Sequence, residues 1–346
     1  MFKERIKIGE VVKKIEDKDM PEKFTMDGSL SPVKNPDGSI TCFATDLGAL
    51  PYYRMYKGTE TSPFDSFEGE FFWDYNCYPE GYPNGLWALT MYRCDDGMLI
   101  GFVHRENFSR EDKNSCINYH IGLGASQDGG KHWFYAGDIC GNSCNYIPMQ
   151  HANMGGSPTL VKDGYFYVYY NEYAPGFKKC ISAVRFSVEE TIAALKNKKL
   201  PKVFKYSGNG KWETKGIGGT GTPIITKSPY SDDPYNNGLD AHSKATYCKP
   251  LDCYLMTMQT GSHGDLVLYF SKDAENWDEY MIIDSAEKDE NGVSAFMLPY
   301  SSFVDASGEG RADSFEVGGK FFLHTVHKKI KDYPYDEYYV REITIE

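Results

Sequence analysis

The chain lacks any apolar run approaching the roughly 18 residues that cross a membrane, and it has no excess of positive charge. Its 346 residues include 37 Lys and Arg against 49 Asp and Glu, which gives a formal net charge of −12 at pH 7. This charge repels nucleic-acid phosphates and anionic membranes, so neither is expected as a partner. Residues 1–20 carry frequent charges and no apolar core, which predicts no secretion signal and a cytoplasmic protein.

Patterns for disulfides, metals and common nucleophiles are also missing. The nine cysteines are an odd number spread over the chain, which favours a reducing compartment. No CxxC pair, GxSxG, Walker loop or HExxH occurs, and no metal ligands are assigned. The residues therefore call for no cofactor, and they leave open a structural calcium ion in the fold.

Aromatic residues, glycine and proline are abundant. The chain contains 27 Tyr, 20 Phe, 34 Gly and 17 Pro, a composition typical of many short strands joined by tight turns. Only residues 187–199 have the pattern of a helix, with Ser187 as the N-cap, acidic residues in the first turn and lysines in the last. The sequence thus predicts an all-β protein with one short helical insertion.

A hairpin pattern occurs five times, as two alternating strands around a turn near residue 37, 96, 163, 252 or 318. The spacing gives about 69 residues per unit, which suits a four-stranded blade with loops. We therefore predict that residues 1–346 form a single five-bladed β-propeller, with the helix inserted in the third blade. A four-bladed or two-domain arrangement is the alternative. The five units are 31–45, 88–106, 156–172, 243–259 and 312–326.

Two segments resemble the Asp-box turn, SxDxGxxW, of sialidases and other propellers. Residues 126–133 read SQDGGKHW and fit the pattern fully, whereas residues 271–277 read SKDAENW and are one residue shorter. In the families that have this turn, the Asp binds the turn backbone and the Trp packs between blades. The resemblance therefore implies a structural role for both segments.

The five units resemble the propeller of glycoside hydrolase families 43, 32 and their relatives, over most of the chain. The resemblance implies a base or nucleophile Asp in blade one, an acidity-tuning Asp in blade three and a general-acid Glu in blade four. Asp27, ten residues before the turn at Asp37, matches the first. The blade-three position reads GGSP at 155–158, without a carboxylate, and blade four offers Asp240 and His242 in place of the Glu.

Propeller geometry selects further candidates, because residues just before the inner strand of each blade and just after its second strand meet at one mouth of the channel. Asp27 is predicted to be the base or nucleophile, with Asp240 or Glu106 as the acid. The other candidates are polar or aromatic groups suited to sugar hydroxyls and ring faces. These predicted substrate-binding residues are Trp87, His104, Arg105, Asn153, Glu172, His242, Lys244 and Asp313.

The predicted function is hydrolysis of a small oligosaccharide or glycoside, exo-acting and inverting, with loops 52–84 and 141–153 closing the pocket. Those loops are rich in aromatic side chains, which would equally form a homo-oligomer interface. Two alternatives stay open: a non-catalytic carbohydrate-binding propeller and a sialidase-like hydrolase. The second would need an arginine cluster, and only Arg105 and Arg311 among eight arginines are predicted to reach the pocket.

Overall fold

The computed structural model describes residues 2–21, 26–45, 53–74, 84–108, 116–141, 156–174, 178–219, 221–260, 263–285, 288, 296–329 and 337–346. These residues form five mainly antiparallel sheets that follow one another along the chain. The sheets are the blades of a β-propeller, so the predicted fold class is confirmed. Among the described residues, no helix is long and apolar enough to cross a membrane.

The first two blades and the N-terminal strand use β1 (Ile6–Glu16), β2 (Ser31–Lys34), β3 (Ile40–Thr45), β4 (Tyr53–Gly58), β5 (Ser66–Glu70), β6 (Phe72–Asp74), β7 (Asn84–Arg93), β8 (Leu99–Phe108), β9 (Cys116–Ser126) and β10 (His132–Cys140). The third blade uses β11 (Thr159–Lys162), β12 (Tyr165–Ala174), β13 (Lys178–Ser187), α1 (Val188–Lys196), β14 (Phe204–Gly208) and β15 (Lys211–Lys215). The last two blades use β16 (Leu239–Asp240), β17 (Ala245–Cys248), β18 (Cys253–Thr260), β19 (Leu266–Ser271), β20 (Glu279–Asp284), β21 (Phe296–Asp305), β22 (Glu316–Val317), β23 (Lys320–Lys329) and β24 (Glu337–Ile345).

The ring is closed by pairing of the two ends of the described chain. The fifth blade has the order β21-β23-β24-β1, and β1 pairs antiparallel with β24 from Ile6 opposite Ile345 to Glu16 opposite Glu337. The exposed edge of β1 carries lysines such as Lys7 and Lys13, which disfavour addition of a further strand. Closure by a strand from the opposite end of the chain keeps the first and last blades together.

The helix lies where the sequence places it, between β13 and β14 of the third blade. The Ser187 hydroxyl accepts a hydrogen bond from the Glu190 N–H at 3.2 Å, which satisfies one of the free donors at the helix start. Leu195 is fully buried against the second and third blades. A side-chain cap, good helix formers and one apolar stripe account for the helix in an otherwise β chain.

The turns that begin at Ser126 and Ser271 share one hydrogen-bonding pattern. The Asp128 carboxylate accepts the N–H groups of Lys131 and His132 at 3.1 and 3.0 Å. The Asp273 carboxylate accepts two N–H groups of its own turn at 2.9 and 2.7 Å. The indoles of Trp133 and Trp277 are each 1% exposed and pack on aromatic rings of the neighbouring blade. Both segments therefore contribute to packing between blades.

The repeat prediction is wrong for the fifth unit. β22 pairs in parallel with β17 of the fourth blade instead of forming a hairpin with β23. The innermost strand of the fifth blade is β21, which pairs with β23 across a long connection. The connection from β21 to β23 is long and contains β22, so no short hairpin turn marks β21 in the sequence. The hairpin pattern therefore passes over β21 and takes the glycines at 318–319, between β22 and β23, for its turn.

The prediction that residues 52–84 form a loop is also wrong in the described part. The chain there forms β4, β5 and β6, and Tyr53, Phe71 and Trp73 are buried in the core between the first two blades. Phe72 is 54% exposed, and the homo-oligomer stays a prediction. Nearly all of the segment 141–153 lies outside the described residues. So do the other aromatic residues of the two predicted loops, which are Tyr52, Tyr75, Tyr78, Tyr82 and Tyr146.

Candidate functional site

One mouth of the propeller contains a cavity of about 90 Å³, formed by the first, second, fourth and fifth blades. Its lining combines two carboxylates, two imidazoles and two large aromatic side chains. The six lining residues are Asp27, Trp87, His104, Glu106, His242 and Tyr300. The structure thus brings together five of the residues selected from the sequence and adds Tyr300.

Asp27 is held from its backbone and through both carboxylate oxygens. Its N–H donates to the Thr45 carbonyl at 2.8 Å, so the segment entering β2 meets the end of β3 at this mouth. The Trp87 indole N–H donates to Oδ2 at 3.0 Å, and the Tyr300 hydroxyl donates to Oδ1 at 2.7 Å. Donors from the second and fifth blades therefore fix the orientation of this carboxylate.

Tyr300 is the residue that sequence reasoning missed. Burial, followed by the negative charge of Asp27, raises the pKa of Tyr300 well above its usual value of 10, so the phenol keeps its proton and acts as a donor. The residue lies on β21, the strand that the repeat pattern passed over. The available signal was the strand-like run PYSSFV at 299–304, which is followed by the glycine-containing segment DASGEG at 305–310.

His104 and Glu106 lie on β8 two residues apart, so their side chains share one face of the strand. His104 Nε2 lies 3.1 Å from Glu106 Oε1, and the Gly156 N–H donates to His104 Nδ1 at 3.3 Å. The Glu106 side chain is 21% exposed, whereas that of His104 is 7% exposed. Glu106 is therefore supported from within the protein and remains accessible from the cavity.

Arg105 lies between these residues, on the opposite face of β8, and does not line the cavity. Its guanidinium binds the Asp138 carboxylate, with Nε donating to Oδ1 at 2.7 Å. Burial raises the pKa of Asp138, but the hydrogen bond from His120 and the charge of Arg105 outweigh it and lower the pKa to about 2. Arg105 thus takes part in a buried ion pair within the second blade.

The fourth blade contributes His242, whose backbone carbonyl accepts a hydrogen bond from the Ser29 hydroxyl at 2.6 Å. Burial lowers the pKa of His242 to about 4, against the opposing effect of the Asp240 charge. Its imidazole is therefore neutral at pH 7. The Asp240 carboxylate is paired with the Lys179 ammonium and does not line the cavity.

Three further predicted residues lie away from this cavity. The buried Glu172 carboxylate accepts the Gly221 N–H at 2.8 Å and the Tyr170 hydroxyl at 3.0 Å. Lys244 and Asp313 both line a second cavity of about 10 Å³, room for one water molecule. Burial lowers the pKa of Lys244 well below its usual value, and its Nζ donates to Ser31 and Thr90.

Asp313 receives the Arg93 N–H at 2.7 Å, at the end of β7, and also binds the Arg311 guanidinium. The Asp313 carboxylate is therefore engaged at the Arg93 end of β7, remote from Trp87. Asn153, the remaining predicted residue, lies outside the described residues. Across the part of the chain that the structure describes, no group of three or more His, Cys, Asp or Glu side chains is arranged to hold a metal ion.

Buried neutral histidines give the protein a testable pH dependence. Burial lowers the pKa of His242 and of His324 to about 4 each, below the value of 6.5 for an unperturbed histidine. Between pH 6.5 and 4 the unfolded chain binds more protons than the folded chain, so stability is lost as pH falls through this window. We expect a loss on the order of 1–3 kcal/mol per histidine, measured by urea unfolding. His324→Gln should flatten the slope, and an unchanged slope would contradict this assignment.

Comparison with known proteins supports the fold. No family model and no curated protein matches the chain. A mutant α-L-arabinofuranosidase from Fusarium graminearum, solved with an iminosugar inhibitor, is 9% identical with a TM-score of 0.52, covering 98% of each chain. The catalytic domain of a GH62 α-L-arabinofuranosidase from Coprinopsis cinerea is 8% identical with a TM-score of 0.50, covering 98% of this chain and 96% of that one. At these identities the likeness shows a shared propeller fold alone.

Proposed function

We propose that the protein hydrolyses the glycosidic bond of a terminal sugar in a small oligosaccharide or glycoside. Asp27 acts as the base or nucleophile, and Glu106 acts as the general acid. The observation that carries this proposal is the presence of two carboxylates from different blades in one cavity. Hydrolysis of a glycoside needs such a pair, one group to donate a proton to the leaving oxygen and one to activate water or attack the sugar.

The different surroundings of the two carboxylates support these roles. Both oxygens of Asp27 accept hydrogen bonds from the neutral donors Trp87 and Tyr300, which orient the group for attack or for water activation. Glu106 has one oxygen bound to His104 and keeps the other for a proton. Asp240, the other candidate acid, is engaged by the Lys179 ammonium outside the cavity, so Glu106 is the better acid.

The size of the cavity supports exo-acting cleavage. An engineered cavity of roughly 150 Å³ holds one benzene molecule. A cavity of about 90 Å³ is therefore closer to the size of one sugar ring than to that of two. The rest of the substrate would leave through the mouth. The rings of Trp87 and Tyr300 offer apolar surface to a sugar face.

The charge of the cavity favours a sugar without a carboxylate. Among the described lining residues there is no Arg or Lys, and His242 is neutral at pH 7 because burial lowers its pKa to about 4. The two arginines predicted to reach the pocket are bound instead to Asp138 and Asp313. A sialidase-like reaction needs arginines around the substrate carboxylate, so these contacts disfavour it.

The test is hydrolysis of a panel of aryl glycosides and short oligosaccharides, with α-L-arabinofuranosides included because both structural neighbours carry that name. Sugar release that is lost in Asp27→Asn supports the proposal. Binding in calorimetry without any release would favour a carbohydrate-binding propeller. We propose inversion, on the resemblance of Asp27 to the base of inverting enzymes, and the first-formed anomer seen by proton NMR decides it.

A further inference from the structure

The tautomer of His104 follows from its two hydrogen bonds. The backbone N–H of Gly156 reaches Nδ1 at 3.3 Å, and a backbone N–H is always a donor. Nδ1 therefore accepts and carries no proton. A neutral imidazole has one N–H, which must then be at Nε2, 3.1 Å from Glu106 Oε1. Glu106 Oε1 is thus an acceptor in this pair.

The donor that sets this tautomer is fixed by a close contact between backbones. Gly156 has φ +84°, a conformation that favours glycine. A Cβ atom at this position would lie 1.5 Å from the Ala241 carbonyl oxygen. The chain entering the third blade therefore packs directly on the fourth, and a side chain at residue 156 would push the N–H away from His104. The imidazole is oriented before any substrate enters.

Aromatic rings hold the plane of His104 in this orientation. The Trp87 and His242 rings meet it edge to face, with centroids at 5.9 and 5.7 Å, and the Tyr119 ring lies at 4.9 Å. With 7% of its side chain exposed, His104 has little freedom to rotate or to exchange its partners for water. Its donor direction toward Glu106 is therefore a fixed property of the site.

We propose that His104 is a positioning residue that keeps the transferable proton of Glu106 on Oε2. This inference rests on the proposed function. An oxygen that accepts the Nε2–H of His104 is not the one that presents a proton to the leaving group. The proton then lies on the other oxygen, and each catalytic cycle begins with the acid in one defined state.

Several titratable groups face this pair. Tyr119 approaches from β9, His242 from the fourth blade, and Asp27 and Tyr300 from across the cavity. The low pKa of His242, about 4, leaves its imidazole neutral over the range in which a glycosidase would be assayed. A pH effect of a His104 variant above pH 5 therefore reports on Glu106 or on Asp27. The limb of the rate profile separates the two, because loss of the acid's proton sets the alkaline limb and protonation of the base sets the acidic limb.

Two substitutions of His104 distinguish the donor from the ring. The amide NH₂ of His104→Gln reaches the place of Nε2–H, whereas that of His104→Asn reaches only the place of Nδ1. We expect His104→Gln to keep kcat within about tenfold and His104→Asn to lose about a hundredfold in kcat with little change in KM. In His104→Asn the alkaline limb of the rate profile should move to higher pH, because a carboxyl group without its donor holds its proton more strongly.

An activity-independent measurement separates this inference from the proposed function. Nitrogen-15 NMR of histidine-labelled protein, with the His104 signal assigned by its loss in His104→Gln, should show the Nε2–H tautomer at pH 7. An Nδ1–H tautomer, or equal losses in both variants with equal losses in Tm, would overturn the role of His104. The Nε2–H tautomer in a protein that hydrolyses no glycoside would instead overturn the proposed function, and the role of Glu106 with it.

Discussion

Glu106→Gln should lower kcat on oligosaccharides and on glycosides of poor leaving groups by about 10²–10⁴, the usual contribution of a general acid. Glutamine keeps the shape of the side chain and its contact with His104 but has no proton to transfer. The same variant should hydrolyse an activated dinitrophenyl glycoside at nearly the normal rate, because that leaving group departs without protonation. Steady-state kinetics on the two substrates measures the difference.

Matched variants make this result specific. Asp27→Asn should be slow on both substrates, because the base or nucleophile is needed whatever the leaving group. Glu213→Gln, at an exposed position of β15, and Asp37→Asn, at an exposed turn, should behave like the unmodified protein. An equal loss of activity in Glu106→Gln on both substrates would contradict its role as the acid.

Glu172→Ala should destabilise the protein by about 3–5 kcal/mol, the usual cost of removing one partner of a buried ion pair. Its carboxylate faces the Lys205 ammonium at 3.8 Å, and the two side chains are 3% and 0% exposed. The substitution also takes the acceptor from the buried Gly221 N–H. Urea unfolding measures the loss, with Glu213→Ala in the same blade as the exposed control.

This experiment also decides between two roles for Glu172. The sequence selects it as a substrate-binding residue, whereas in the structure it is buried against Tyr170, Lys205 and Gly221 and does not line the cavity. The folded fraction of Glu172→Ala should therefore bind sugar with unchanged affinity. A stable variant that has lost sugar binding would show that the sequence-based assignment is the correct one.

The fold could be predicted from sequence because its signals are local. Asp-Gly and similar turns between alternating strands indicate hairpins, and the Ser187 cap indicates the helix. The inner strand of the fifth blade could not be predicted in this way. β21 ends at Asp305, and its partner β23 begins at Lys320, fifteen residues further along the chain. This pairing depends on packing of the whole ring instead of on a local turn.

The site could be predicted in part, for a similar reason. Counting residues from each turn selects five residues that line one cavity in the structure: Asp27, Trp87, His104, Glu106 and His242. It does not give the direction of a side chain or its partner. Arg105 therefore appears among the candidates although the alternation of β8 turns it toward Asp138, and Asp240 appears although Lys179 engages it.

The remaining errors come from the misplaced fifth blade. With the turn assigned near residue 318, Asp313 is predicted to lie at the pocket mouth, and Tyr300 is overlooked. The structure reverses the two: Tyr300 donates to Asp27 in the cavity, whereas Asp313 binds Arg93 and Arg311 elsewhere. A single error in strand assignment therefore displaced one residue into the predicted site and removed another from it.

The most direct test of the account is a crystal structure of the Asp27→Asn variant soaked with a mixture of short oligosaccharides. The substitution should slow turnover and leave the cavity intact. We predict a terminal sugar in the cavity, with its glycosidic oxygen next to Glu106 and its ring against Trp87 or Tyr300. Sugar bound at another surface, with the cavity at Asp27 and Glu106 closed by side chains, would contradict the assignment of this cavity as the active site.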